Sequence, residues 1–212
     1  MKKFILILVL GVGLIACKND KKAETVTDKV VETAPETSKV ENGTYVANTE
    51  TSTLKWKGYK PTGSHDGAVA IKEGSLIVSE GALTGGSFTF DMTAITVLDI
   101  PAEEESNAKL VGHLKNKDFF DVENNPTASF AITSVEGATV KGNLTIKEIT
   151  KPIEFAAVLA ETESGIEFIG DTFKIDRTKF GIEYKSKSIF DDLKDKFIDD
   201  EFEISFKVQA SK

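Results

Sequence analysis

The chain has 212 residues, of which 40% are hydrophobic, and its 34 acidic and 26 basic side chains give it a net charge of −8. An acidic protein repels phosphate backbones, and no segment carries a basic cluster, so a nucleic acid partner is not expected. Cys17 is the single cysteine, which excludes an intramolecular disulfide and a thiolate metal cluster.

The first predicted element is a lipoprotein signal peptide over residues 1–16. Lys2 and Lys3 precede an apolar run from Phe4 to Ile15, and this run is shorter than the about 20 residues that a membrane-spanning helix needs. A branched residue and a small residue stand directly before Cys17, as in bacterial signals that are cleaved ahead of a lipid-bearing cysteine. We therefore expect lipidation of Cys17, which would attach the protein to a membrane of the bacterial cell envelope, with its domain in the periplasm or on the cell surface. The alternative is an ordinary cleaved signal with a chance cysteine.

The segment from Cys17 to residue 42 is predicted to be a disordered linker. It consists mainly of Lys, Glu, Thr, Asp and Val and contains no aromatic residue, so it cannot bury enough surface to offset the entropy of ordering. As a flexible coil it would span roughly 28 Å, which would keep the domain tethered but clear of the membrane.

From Tyr45 onward, apolar and polar residues alternate, as is typical of strands with one buried face. The clearest example is the run from Phe202 to Val208. Turn residues separate the runs, and we expect breaks at Glu73-Gly74 and at Gly85-Gly86. Short strands at about 8–12-residue spacing predict an all-β antiparallel barrel or sandwich.

One segment departs from this alternation. Residues 102–115 carry an acidic run near their start and then Leu110 and Leu114 at helical spacing, which predicts a short helix at one end or side of the barrel. A second helical piece is predicted near Asp191 to Phe197.

Phenylalanine dominates the aromatic residues, with 14 Phe against three Tyr and one Trp. Phe adds bulk without a polar group, and most of these residues lie on the alternating faces of predicted strands. A closed barrel of about eight strands is just wide enough either to be filled by side chains or to hold one small ligand. The composition alone therefore leaves a packed core and an apolar binding wall as alternatives.

The stretch from His113 to Phe130 resembles the signature of the YceI-like family. Further pieces of that family's pattern follow in the expected order over about residues 44–210, namely Trp56-Lys57-Gly58, Gly85 to Asp91, Gly142 to Lys147, and Ile175-Asp176-Arg177. The resemblance implies an antiparallel, lipocalin-like β-barrel of about eight strands over residues 43–212, with a short helix packed at one end or side. It also implies an exported protein that holds a polyisoprenoid or a similar long apolar or amphiphilic molecule inside the barrel, for transport, storage or stress protection. Family members are often dimeric, so a homodimer is a further expectation.

The predicted wall of the binding tunnel consists of apolar side chains from the predicted strands, from the helix and from the segments that resemble the family's motifs. They are Leu54, Trp56, Phe88, Phe90, Leu110, Leu114, Phe119, Phe120, Phe130, Leu144, Phe155, Phe168, Phe180 and Ile204. The helix that carries Leu110 and Leu114 would cap or gate one side.

Three polar residues are candidates for contact with a ligand headgroup at the mouth: His65, His113 and Arg177. For His113 the alternative is a local hydrogen bond at the end of the helix. Arg177 is the only arginine, and its alternative role is an ion pair with a neighbouring carboxylate, such as Asp176 or Asp121, that braces the end of the barrel. Two imidazoles do not make a coordination set, so neither a metal nor a cofactor is expected.

Two other function classes stay open from the sequence. One is a structural or interaction protein with a filled core. The other is an enzyme that acts on a bound lipid through His113 or Arg177, although no Gly-x-Ser-x-Gly elbow is present. Of the three classes, we predict a binding protein without catalytic residues, on the basis of the family resemblance and the apolar wall.

Overall fold

The computed structural model describes residues 40–212, so the predicted signal peptide, Cys17 and nearly all of the predicted linker lie outside the described residues. Val40 is already buried, three residues ahead of the predicted domain boundary at residue 43. The described part contains nine strands, one α-helix and two short 3-10 turns, Arg177–Phe180 and Lys194–Lys196. The strands and the helix are β1 Gly43–Ala47, β2 Thr53–Lys60, β3 Gly63–Ser79, β4 Ala82–Val97, α1 Glu105–Lys115, β5 Thr127–Glu136, β6 Thr139–Ile146, β7 Ile149–Thr162, β8 Gly165–Asp176 and β9 Glu201–Ser211.

The strands form one closed antiparallel barrel in which nine strands occupy eight positions. Strands β1 and β2 share the position between β3 and β9, since Gly43 of β1 pairs with Val78 and Leu54 of β2 pairs with Val69 further along the same β3. Pairing of β3 with β4 completes the circle. The prediction of an all-β, lipocalin-like barrel with one short helix is confirmed.

The two ends of the barrel differ. The long connections at residues 98–126 and 177–200, together with the tight turns after β2 and β6, lie at one end, which carries α1 and is called the helix end here. The other end is packed with buried apolar side chains and is called the plugged end: Tyr45, Leu76, Val78, Leu83, Val140 and Ile166. The barrel can therefore be hollow only toward the helix end.

The predicted breaks at Glu73-Gly74 and Gly85-Gly86 are wrong, because both pairs lie inside the long strands β3 and β4. The register shifts between Ile71 and Glu73, so Lys72 is an extra residue that switches which side chains face inward. Before the bulge the inward-facing residues of β3 have odd numbers, and after it they have even numbers. The sequence pattern therefore looks like two separate strands, although the strand is continuous.

Helix α1 begins at Glu105, three residues later than predicted, and ends as predicted at Lys115. The buried side chain of Asn107 donates hydrogen bonds of 3.1 and 2.7 Å to the carbonyl oxygens of Val97 and Ile100, which fixes the helix beside the end of β4. The second predicted helix is only the 3-10 turn Lys194–Lys196. Within residues 40–212, no helix has the length and apolar character needed to cross a membrane.

The barrel wall has a seam between β7 and β8. Their main-chain pairing ends at Ala157 and Gly170, and just beyond it two residues of β8, Asp171 and Thr172, bulge opposite one residue of β9. A bulge bends its strand, so β8 turns away from β7, and among the described strands residues 149–156 pair only with β6. The stacked rings of Phe155 and Phe173, with centroids 4.5 Å apart, lie behind this gap. Side chains rather than main-chain hydrogen bonds therefore hold this part of the wall together.

Candidate functional site

A cavity of about 250 Å³ occupies the half of the barrel nearer the helix end. Its wall is almost entirely Leu, Ile, Val, Met and Phe, with polar groups only where the strands reach the helix end. Cavities lined in this way stay dry, and one of roughly 150 Å³ already admits benzene. The interior is thus suited to an apolar molecule and not to a polar one.

Thirteen of the fourteen predicted wall residues line this cavity, and that they contact a ligand stays a prediction. They are Leu54, Trp56, Phe88, Phe90, Leu110, Leu114, Phe119, Phe120, Phe130, Leu144, Phe155, Phe168 and Ile204. Phe180 is not among the lining residues, although it is only 1% exposed. It lies in the 3-10 turn Arg177–Phe180, where the alternation of a strand no longer indicates which way a side chain points.

The sequence reasoning omitted other lining residues that carry the same signal. Val69, Ile71, Met92, Ile146, Ile153, Phe173, Ile175, Phe202, Phe206 and Val208 belong to the same alternating runs and also line the cavity. Extending the alternation to every strand would have found them.

The glycines in the strands make an unexpected contribution to this wall. Four aromatic rings each lie directly against an inward-facing glycine of a neighbouring strand: Trp56 on Gly67, Phe88 on Gly74, Phe130 on Gly142 and Phe206 on Gly170. A Cβ atom at any of these glycines would overlap the ring. The glycines therefore let the large rings lie flat along the wall, which keeps them out of the open space.

Substitution of Gly170 by alanine is expected to push the Phe206 ring into the cavity. Overpacking of this kind typically costs about 1–3 kcal/mol, so both the free energy of unfolding and the uptake of an apolar fluorescent probe should fall. Urea unfolding and titration with N-phenylnaphthylamine measure the two effects. Gly85→Ala is the matched control, because Gly85 is also a strand glycine, does not line the cavity, and a Cβ there would meet its nearest atom, in the Ile77 side chain, at 3.6 Å. Equal behaviour of the two variants would contradict the role assigned to Gly170.

Arg177 lies at the helix end, lines the cavity and is only 1% exposed. Its guanidinium donates three hydrogen bonds to main-chain carbonyl oxygens, from Nε to Asp199 at 3.0 Å, from Nη1 to Ile182 at 2.7 Å and from Nη2 to Ile198 at 3.0 Å. These bonds fasten both ends of the connection between β8 and β9 to each other. The geometry favours bracing over contact with a headgroup.

The carboxylate that pairs with Arg177 is that of Asp200, with Nη2 3.7 Å from Oδ1, and not that of Asp176 or Asp121. Asp176 instead caps the following turn by accepting a hydrogen bond from the Thr178 amide, and Asp121 accepts from Asn124. Burial lowers the pKa of Arg177, and the negative charge of Asp200 opposes that shift. Burial by itself would raise the pKa of Asp200, but the neighbouring hydroxyl groups of Ser186 and Ser188 and the charge of Arg177 bring it below its ordinary value.

His113 lies in the last turn of α1 and faces the cavity between two aromatic rings, at centroid distances of 4.5 Å from Tyr184 and 5.6 Å from Phe119. The predicted local hydrogen bond of its side chain is absent from the described residues. Nδ1 is 3.9 Å from Asp118 Oδ1, and the buried Nε2 has no partner there. Its edge-on approach to Tyr184 makes the imidazole part of the aromatic wall.

His65 lies at the opening of the cavity, where it bonds to Lys60 and Asp99. The two histidines thus have different neighbours, since His113 packs on Tyr184. No group of three His, Cys, Asp or Glu side chains within residues 40–212 is arranged to hold a metal ion.

Comparison with protein families identifies a match over almost the whole described domain. The model of the YceI-like domain matches residues 45–210. Curated relatives include a UPF0312 protein of Pseudomonas aeruginosa, 35% identical, and a UPF0312 protein of Yersinia enterocolitica, 36% identical. Each match covers 35% of this chain and 44% of the relative, so the chain spans less than half the length of these proteins.

Two solved structures share the fold. BcnA of Burkholderia cenocepacia superposes with a TM-score of 0.59 at 17% identity, covering 76% of this chain and 98% of that structure. A polyisoprenoid binding domain from Saccharophagus degradans superposes with a TM-score of 0.60 at 11% identity, covering 81% of this chain and 99% of that structure. At these identities the likeness establishes the barrel architecture.

Proposed function

Because the chain belongs to the YceI-like domain family, we propose that it is a binding protein that holds a polyisoprenoid or a similar long apolar or amphiphilic molecule in its barrel. The observation that carries this proposal is the apolar cavity at the helix end of a barrel whose other end is packed. The structural neighbour described as a polyisoprenoid binding domain supports the same ligand class.

The energetics of such binding are adequate. Each buried methylene contributes about 0.8 kcal/mol, so ten of them would give about 8 kcal/mol. That corresponds to a dissociation constant near 1 μM, before the cost of ordering the ligand.

The proposal includes export and attachment through lipid on Cys17, with transport or storage of the ligand in the cell envelope as the role. The described chain enters the barrel at the plugged end, where Gly43 pairs with Val78. A homodimer is part of the same proposal and would be checked by light scattering.

Organic extraction of the purified protein followed by mass spectrometry tests the proposed function. We expect one dominant prenyl or other long-chain species in the extract, and uptake of N-phenylnaphthylamine by the delipidated protein. An extract without any long-chain species, together with no uptake of the probe, would contradict the proposal. It would favour a structural protein whose core is filled and binds no ligand. Conversion of the extracted species during incubation with the protein would point instead to an enzyme.

A further inference from the structure

The inward face of the hairpin formed by β2 and β3 changes from apolar to polar toward the opening of the cavity. On β2 the inward positions run from Leu54 and Trp56 through Gly58 to Lys60, and all four residues line the cavity. On β3 the residue opposite Gly58 is His65. A ligand with an apolar chain and a polar end would match this order of side chains.

Lys60, His65 and Asp99 are connected by hydrogen bonds whose direction is set by the lysine. The Lys60 ammonium can only donate, so His65 Nε2 accepts its bond of 3.0 Å. His65 Nδ1 must then carry the proton, which it donates to Asp99 Oδ2 at 2.8 Å. The other oxygen of Asp99 accepts the Asp66 amide at 3.0 Å. The carboxylate is thus fixed to the main chain and orients the imidazole, which in turn holds the ammonium at the opening.

The charge at the opening remains available for a ligand. Arg177, the other cationic residue that lines the cavity, already donates to three carbonyl oxygens. Asp199 is the acidic side chain that lines the cavity, and it is paired with Lys187 at 2.6 Å. Lys60 forms no salt bridge among residues 40–212, and its ammonium keeps two further N–H groups beyond its bond to His65.

We propose that Lys60 binds the acidic headgroup, a carboxylate or a phosphate, of an amphiphile whose chain lies in the cavity. His65 and Asp99 act as positioning residues for the ammonium. Gly58 leaves room for the headgroup, because a Cβ there would meet no atom within 4 Å. This inference rests on the proposed function and specifies its ligand class as an acidic amphiphile.

Matched pairs of ligands test the headgroup site on the delipidated protein. Farnesyl phosphate is compared with farnesol, and palmitate with hexadecanol, by displacement of N-phenylnaphthylamine. We expect each acid to bind about tenfold more tightly than its alcohol, since hydrogen bonds to charged groups are the stronger ones. The pair with the larger ratio identifies the headgroup as phosphate or carboxylate.

Lys60→Met should remove this preference, so that each acid binds no more tightly than its alcohol. Lys55→Met is the control, because Lys55 carries the same charge on the same strand but points outward and is absent from the cavity lining. His65→Ala should reduce the preference in part, because it frees the ammonium without removing it. Equal affinity for acids and alcohols in the unmodified protein would overturn the headgroup site and leave the proposed function standing. Binding of none of the four ligands would contradict both.

Discussion

Replacement of Ala128 by tryptophan is expected to block the cavity and to weaken the binding of an apolar probe by at least about tenfold, which is about 1.4 kcal/mol. Ala128 is a small inward-facing residue of β5 that lines the cavity and pairs with Phe90 on β4. An indole at this position would occupy the space that a ligand chain needs. Titration with N-phenylnaphthylamine and the amount of extractable ligand both measure the effect.

Ala131→Trp provides the matched control for this prediction. Ala131 lies three residues further along the same strand, points outward and is exposed. Its variant should fold and bind the probe like the unmodified protein. Because overpacking can cost about 1–3 kcal/mol, circular dichroism is needed to show that the Ala128 variant keeps its barrel. Ala128→Leu should give an intermediate loss, and undiminished binding in a folded Ala128→Trp variant would show that the cavity is not the binding site.

The barrel and most of its wall could be predicted from the sequence because strand alternation is a local property. Thirteen of the fourteen predicted residues line the cavity. Nine of them lie in strands, where alternation fixes which side chains share a face, and the other four lie in α1 or in the connection that follows it. The exception, Phe180, lies beyond the end of β8, where alternation carries no information.

Contacts between distant parts of the chain could not be predicted in this way. A strand glycine such as Gly74 resembles a turn signal, and only the ring of Phe88 shows that it marks a close approach instead. The partner of Arg177 was missed for the same reason, because Asp200 lies beyond a long connection whose path no local pattern encodes. The bond between His65 and Asp99 likewise joins β3 to the segment after β4.

Replacement of Arg177 by methionine is expected to lower the free energy of unfolding by at least about 3 kcal/mol. The substitution leaves the carbonyl oxygen of Ile182, whose hydrogen bond is buried, and those of Ile198 and Asp199, whose bonds are partly buried, without their donors. A buried unpaired group costs about 1–3 kcal/mol. It also leaves the largely buried Asp200 without its counterion. Urea unfolding monitored by tryptophan fluorescence measures the loss.

Lys174→Met is the matched control for the Arg177 variant, because it removes the same charge from β8 at an exposed ion pair with Glu201. Exposed pairs of this kind contribute little, so its unfolding free energy should change by no more than about 0.5 kcal/mol.

The pH dependence of the unfolding free energy gives a second measurement of the role of Arg177. The pKa of Asp200 is lowered in the folded protein, so its contribution is present at neutral pH and is lost as the pH falls through the folded-state value. In Arg177→Met the charge that helps to lower this pKa is gone, so the loss of stability on acidification should be smaller than in the unmodified protein. An Arg177 variant as stable as the Lys174 control would show that the guanidinium does not brace the helix end and would return Arg177 to the group of candidate ligand contacts.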